Sequence, residues 1–219
     1  MITEILSSCE LFDGIRPEER VPMLACLGGR EIAVRKNGYV FREGEPAERV
    51  GIVLSGSVQM VREDYYGNRS IVARIEAPGL FGESFACADV KTLPISIMAV
   101  EDCRVLLIDS RRITVTCANA CGFHNQMIFN MLKVVARKNL VLNQKMEITS
   151  KRTTREKLLA YLLSQAKAHQ SDTFTIPYDR QALADYLEVE RSAMSAEIGK
   201  LRRDGIIQCE KSNFRLLKG

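Results

Sequence analysis

The segment from Asp179 to Gly205, DRQALADYLEVERSAMSAEIGKLRRDG, carries side chains that suit the reading of DNA bases. Arg191 opens the second of two predicted helices, and its planar guanidinium can bond guanine O6 and N7 at the same time. Ser192 and Ser195 follow on the same outward face and can contact bases or phosphates with less discrimination. A solvated surface arginine is the alternative for Arg191. The segment predicts a helix-turn-helix that binds operator DNA.

A scaffold helix and a tight turn must position these side chains. Asp179 is the predicted N-cap of the first helix, and Glu188 with Val189 forms the predicted turn. The inner faces of the two helices are apolar at helical spacing: Leu183, Ala184 and Leu187 in the first, and Met194, Ile198 and Leu201 in the second. The expected phosphate anchors are Arg180 and Gln181, together with Lys200, Arg202 and Arg203. A solvated helix end is the alternative for the last three.

A second cluster, Cys117, Cys121 and His124, has the spacing C-x3-C-x2-H. These positions share one helical face, so two thiolates and an imidazole could converge on zinc, haem iron or an iron-sulfur cluster. Apolar packing of the cysteines, with His124 hydrogen-bonded to the N-terminal domain, is favoured, and we predict no metal there. The seven cysteines are an odd number at scattered positions, which does not indicate a disulfide framework.

Short Val- and Ile-rich runs fill the chain between Glu31 and Asp109. They are broken by turn residues such as Asn37-Gly38, Gly67-Asn68 and Pro78-Gly79. Strands of this length at this spacing are typical of an antiparallel roll or sandwich. We predict an N-terminal β domain over residues 1–115.

Gly and Pro nearly vanish after Arg112, and one long helix is predicted over residues 116–148. A heptad seam runs along it with spacings of 4 and 3, through Cys121, Asn125, Ile128, Leu132, Val135, Asn139, Leu142 and Met146. This seam predicts pairing of two copies, and Asn139 inside it favours a dimer in one register. A single core helix without a dimer is the alternative. A second apolar line is predicted to rest on the roll, through Met127, Met131, Val134 and Val141.

Residues 149–219 are predicted to form a winged helix-turn-helix domain. Leu158, Leu159, Leu162 and Leu163 lie at helical spacing in REKLLAYLLSQAKAH. The final IIQCEKSNFRLL suggests a hairpin that turns at Ser212-Asn213. The predicted fold class is therefore α+β.

The composition fits a globular chain of two modest domains, with 46% hydrophobic and 26% charged residues in 219. The sequence has no stretch of the length a membrane span needs and no signal-peptide pattern at its start, so we expect a cytoplasmic protein without a membrane partner. A nucleophile elbow, a Walker loop and a zinc-hydrolase motif are all missing, which argues against an enzyme. The alternative function is that of a ligand-binding module that acts through protein partners rather than through DNA.

The order of roll, pairing helix and winged helix-turn-helix resembles the Crp/Fnr family of bacterial regulators over nearly the whole chain. The resemblance rests on three motifs: Gly82-Glu83, the turn Ser55-Gly56-Ser57 and the segment RQALADYLEVERSAMSAEIGKL. The resemblance implies that residues 1–115 form an antiparallel β jelly-roll domain that senses an effector. It also implies a homodimer that binds a palindromic operator under effector control, with RNA polymerase as a partner. Many members carry a glutamate just after the recognition arginine and a second arginine further on. Since Ser192 and Ala196 stand there in this chain, the operator sequence does not transfer.

The effector pocket implied by the resemblance comprises Gly82, Glu83, Ser84, Leu93 and Pro94. Members that bind cAMP carry Arg-Ser or Arg-Thr eleven residues after the glycine, and the arginine holds the phosphate. Leu93 and Pro94 stand there instead, and the nearby Lys91 is a poor substitute for a bidentate clamp, so we do not expect cAMP. Glu83 is predicted only to cap a short helical turn.

Other effectors stay open at this point. Oxygen-sensing members use an N-terminal cysteine cluster, whereas Cys9 and Cys26 stand too far apart to reproduce it. A haem, a metal or a thiol switch needs fewer protein ligands than such a cysteine cluster. A small organic effector bound in the roll is equally consistent with the sequence.

Overall fold

The computed structural model describes residues 2–114 and 123–217. The helices before the roll are α1 (Ile2–Ser7), a 3₁₀ turn (Glu10–Phe12) and α2 (Pro17–Cys26). The strands are β1 (Arg30–Val34), β2 (Tyr39–Phe41), β3 (Arg49–Ser55), β4 (Ser57–Glu63), β5 (Arg69–Glu76), β6 (Leu80–Phe81), β7 (Ser96–Ala99) and β8 (Cys103–Asp109). Two short helices accompany them, α3 (Glu83–Cys87) after β6 and α4 (Arg111–Thr114) after β8.

Two four-stranded sheets form the roll, with strand orders β1-β8-β3-β6 and β2-β7-β4-β5. The pairings between β1, β3, β6 and β8 and those of β7 with β2 and β4 are antiparallel. The longest ladder joins β3 to β8, from Arg49 opposite Asp109 to Ser55 opposite Arg104. The predicted antiparallel β architecture is confirmed.

Strand β3 is buried on both of its faces. Val50, Ile52 and Leu54 belong to a core under the helices, whereas Val53 belongs to a second core inside the roll. A strand covered on both faces requires a continuous apolar run, which is why RVGIVLS does not alternate. Gly51 is also required, because a Cβ atom there would lie 2.0 Å from the ring of Phe81.

The long helix α5 (Phe123–Thr149) has 27 residues and is therefore about 40 Å long. Three of the four predicted inner residues are buried in the helix-covered core, namely Met127, Met131 and Val134. The prediction for Val141 is wrong, because that side chain is 60% exposed. Lys138 and Lys145 occupy the same stripe one heptad apart, and each donates a hydrogen bond to a backbone carbonyl. At these two positions polar anchoring replaces apolar packing, whereas Ile148 near the end of the helix is buried again.

The chain divides into two units within α5. The first unit runs to Asn68 and resumes over Val72–Asn139, and the second contains Arg69–Ile71 and the chain from Leu140 onward. The first three residues of β5 therefore group with the C-terminal unit rather than with the rest of their own strand.

The C-terminal unit is a winged helix-turn-helix. It contains α6 (Thr154–His169), β9 (Thr173–Thr175), α7 (Arg180–Leu187), α8 (Arg191–Arg203), β10 (Ile207–Glu210) and β11 (Asn213–Leu216). The three strands form one antiparallel sheet in the order β10-β11-β9. The wing turns at Lys211 and Ser212, one residue earlier than predicted, because Asn213 already pairs with Glu210 across the hairpin.

Helix α6 begins with a capping box, in which Thr153 Oγ1 accepts from Glu156 N and Glu156 accepts from Thr153 N. These bonds lower the pKa of Glu156. Of the four leucines at helical spacing, Leu158 and Leu162 are buried and Leu163 is exposed. Tyr161 is buried beside them in sequence. No helix in the described ranges is long and apolar enough to cross a bilayer.

Candidate nucleic-acid interface and effector pocket

Helix α7 is the scaffold helix of the candidate nucleic-acid interface. Asp179 caps it as predicted, with its Oδ1 accepting from Ala182 N at 2.8 Å. Its predicted inner face is confirmed as buried, at Leu183, Ala184 and Leu187. Glu188 ends the helix in the left-handed conformation, with φ 55°, and reverses the chain toward α8. The turn therefore lies where the sequence predicts it.

Helix α8 has one buried and one exposed face. The buried side chains are the predicted Met194, Ile198 and Leu201. Arg191 is the first helical residue, and its side chain is exposed together with those of Ser192 and Ser195. The N-cap residue of this helix, Glu190, makes no side-chain cap hydrogen bond to it. The exposed side of the first two turns therefore presents a guanidinium and two hydroxyls, and the helix N-terminus adds backbone donors, all of which suit bases and phosphates.

Three of the predicted phosphate anchors differ in their surroundings. Arg180 is partly buried over the Phe214 ring, with its Cζ 5.2 Å from the centroid, and its Nη2 lies 3.5 Å from Cys209 Sγ. Gln181 Nε2 donates to Asp185 at 2.7 Å, and Lys200 Nζ pairs with Glu197 at 2.5 Å. Surface pairs of the latter kind are weak, so a phosphate can replace them at small cost. Gln181 and Lys200 are thus better placed than Arg180 as phosphate anchors.

Two exposed cations on the wing are not among the residues that the sequence predicts to contact DNA. Lys211 lies in the hairpin turn with φ 51°, and Arg215 is exposed on β11. A lysine at the tip of a hairpin that follows a recognition helix was the available signal. Both side chains extend the positive surface beyond α8.

A cluster of tyrosines holds the C-terminal unit together. The ring of Tyr186 lies 4.9 Å from that of Tyr178 and 5.4 Å from that of Tyr161. Burial raises the pKa of Tyr161 and that of Tyr186. The cluster joins α6 to α7 and to the segment before α7, which fixes the scaffold under α8.

The candidate effector pocket begins at the Gly82-Glu83 motif. Gly82 has φ 82°, and a Cβ atom there would lie 2.9 Å from Arg49 O, so only glycine fits. The Glu83 side chain is 3% exposed, and its Oε1 lies 2.8 Å from Lys138 Nζ on α5. The predicted helix-capping role of Glu83 is therefore wrong, because its carboxylate is engaged by the long helix. Ser84 is exposed, and its hydroxyl donates to Glu83 at 3.2 Å.

Leu93 and Pro94 differ in burial, because one faces the interior of the roll and the other faces solvent. Leu93 is buried in the inner core beside Phe41, Phe81 and Ile97, whereas Pro94 is exposed. The backbone of Leu93 is already paired, since its N–H donates to Glu45 O and its carbonyl accepts from Gly44 N. An apolar side chain at this position offers nothing to offset the desolvation of a phosphate.

The predicted dimer seam is largely exposed in the single chain. Leu132 is 65% exposed, and the other seam residues in the described ranges are exposed or partly exposed, namely Asn125, Ile128, Val135, Asn139, Leu142 and Met146. Apolar side chains at heptad spacing on an exposed face suit a second copy of the same helix.

Only one residue of the candidate metal cluster lies within the described residues. Cys117 and Cys121 lie outside the described residues. His124 is buried, with Nε2 3.2 Å from the Arg112 carbonyl and its ring stacked on Phe123 at 4.5 Å. This bond agrees with the predicted contact of His124 with the N-terminal domain.

The Glu83–Lys138 pair yields a prediction for stability. Lys138→Met should lower the free energy of unfolding by about 2 kcal/mol, because it leaves the buried Glu83 carboxylate without a cation. The double variant Lys138→Met/Glu83→Gln should recover most of that loss, since it removes the buried charge as well. Urea denaturation measures both. Equal stability of the wild type and Lys138→Met would show that the pair contributes nothing to the fold.

Two family models match the chain. Residues 31–119 match the cyclic nucleotide-binding domain, and residues 156–218 match the Crp-like helix-turn-helix domain. The chain is 22% identical to the transcriptional activator protein anr of Pseudomonas aeruginosa, over 84% of this chain and 75% of that protein. It is 25% identical to the nitrogen fixation regulation protein FixK of Azorhizobium caulinodans, over 95% of this chain and 84% of that protein.

A solved structure shares the fold. It is that of the c-di-GMP responsive global regulator CLP of Xanthomonas campestris, with a TM-score of 0.75 and 16% identity. The match covers 92% of this chain and all of the other.

Proposed function

We propose that this chain, which belongs to the Crp/Fnr family of transcription regulators, binds a palindromic operator as a homodimer under the control of an effector in its roll. The observation that carries the proposal is the N-terminal part of α8. It exposes Arg191, Ser192 and Ser195 while the opposite face of the helix is buried. RNA polymerase is the proposed partner of the bound dimer.

The dimer is proposed to form along the exposed seam of α5. A two-fold dimer presents two copies of α8, so the operator should contain two inverted half-sites about 34 Å apart, one helical turn of DNA. The lysines and arginines at the end of α8 and on the wing should add phosphate contacts, which make the affinity fall with salt.

The effector is proposed to be a small molecule without a cyclic phosphate. Support comes from the buried Leu93, which stands where the resemblance implies a phosphate-binding arginine. Glu83 Oε2 is buried and has no hydrogen-bond partner among the described residues, so it is the proposed acceptor for a donor of the effector. We expect that saturating cAMP leaves the melting temperature unchanged. A shift of several degrees with cAMP would contradict the proposal, because a ligand that binds only the folded state stabilises it.

The proposal is tested by selecting duplexes from a random pool with the purified full chain. We expect an enriched site with two-fold symmetry and an affinity that falls steeply between about 50 and 200 mM salt. An enriched site without two-fold symmetry would overturn the dimer. If no duplex is enriched and binding does not depend on salt, the alternative of a module that acts through protein partners is favoured instead.

A further inference from the structure

Lys145 is a buried lysine near the C-terminal end of α5. Its side chain is 11% exposed, and its ammonium donates a hydrogen bond to the carbonyl of Ile71 at the start of β5. Burial of an ammonium group is costly unless several partners replace its water. Its other partners therefore show what the lysine stabilises.

These other partners lie at the turn of the helix-turn-helix. Lys145 Nζ is 4.8 Å from the centroid of the Tyr186 ring and 3.9 Å from Glu188 Oε1. Tyr186 lies in the last turn of α7, and Glu188 is the left-handed residue that ends it. The Glu188 carboxylate is half exposed, so the ring and the Ile71 carbonyl are the stronger contacts.

A second lysine meets the same turn from α6. Lys157 Nζ donates to the carbonyls of Leu187 and Glu188, both at 3.3 Å. Two cations thus lie at the C-terminal end of α7, where its dipole is negative. The two lysines come from different helices, since Lys157 belongs to α6 of the winged domain and Lys145 belongs to the long helix α5.

The turn needs such support. Glu188 has positive φ without being glycine, a conformation that persists only where the surroundings hold it. Val189 N donates to Ala184 O at 3.1 Å across the turn, and α8 begins two residues later. Any movement of the turn therefore moves Arg191.

We propose that Lys145 is a positioning residue for DNA binding. It ties the turn between α7 and α8 to the end of α5 and to the start of β5, and so sets operator affinity without touching DNA. This inference rests on the proposed function.

The test compares Lys145→Met with the wild type and with Lys151→Met, which removes the same charge at an exposed position after α5. In Lys145→Met, operator affinity should fall about tenfold. The slope of log affinity against log salt should stay unchanged, whereas loss of a phosphate contact would reduce it by about 1. Hydrogen exchange of the free protein should become faster at Glu188 and Val189. Lys151→Met should leave that exchange unchanged.

Lys145→Arg should recover operator affinity, because a guanidinium also stacks on an aromatic ring. Wild-type affinity in Lys145→Met would overturn the inference, and so would a slope reduced by about 1, since Lys145 would then contact phosphate. If the wild type binds no duplex, the proposed function fails by itself. The exchange of the free protein then decides whether Lys145 positions the turn.

Discussion

Arg191→Ala should weaken binding of the selected operator by about 1 to 3 kcal/mol and relax the preference at one base pair of each half-site. Arg191 is exposed at the first residue of α8, whose buried face fixes the helix orientation. The variant loses two hydrogen bonds to a guanine. It should therefore bind duplexes that carry any of the other three base pairs at that position nearly as well as the duplex with the preferred one. Competition among duplexes that carry each base pair at each position measures the effect.

Two further variants distinguish the reading of a base by Arg191 from the effect of its charge and from the loss of a phosphate contact. Arg191→Lys keeps the positive charge but loses the planar fork, so it should relax the same base preference. Gln181→Ala removes an expected phosphate anchor and should weaken all sequences alike. If Arg191→Ala also weakened every duplex by the same factor, Arg191 would not read a base, and another side chain of α8 would have to provide the specificity.

The helix-turn-helix could be predicted from the sequence almost residue by residue. Its signals are local: an aspartate cap at Asp179 and apolar positions at helical spacing in α7 and α8. Strand β3 could be placed because a continuous apolar run between turn residues indicates a strand buried on both faces. The wing was misplaced by one residue because Ser212 and Asn213 both suit a turn, and the pairing of Asn213 with Glu210 decides between them.

The polar contacts of α5 could not be predicted in the same way. Lys138 meets Glu83, and Lys145 meets Tyr186 and Glu188, all of them far away along the chain. Helical periodicity predicts which residues share a face but not what that face meets. For that reason the inner stripe was expected to stay apolar as far as Val141, whereas Lys138 and Lys145 lie on it and donate to backbone carbonyls.

Leu132→Glu should convert the dimer into a monomer and abolish tight operator binding. Leu132 is 65% exposed in the single chain and lies on the predicted seam of α5. In a dimer the two glutamates would face each other in an apolar interface, and burial of unpaired charge costs several kcal/mol. The dimer dissociation constant should therefore rise at least about 100-fold. Sedimentation equilibrium measures the constant, and the anisotropy of a labelled operator measures DNA binding.

The stability of the single chain should not change, because an exposed leucine contributes little to the core of its own chain. Gln144→Glu is the matched control, since it adds the same carboxylate at an exposed position on the side of α5 away from Leu142 and Met146. That variant should remain a dimer and bind the operator normally, because its charge stays in water. A Leu132→Glu variant that dimerises as tightly as the wild type would show that the heptad face does not pair two chains. The inverted half-sites would then require a different interface.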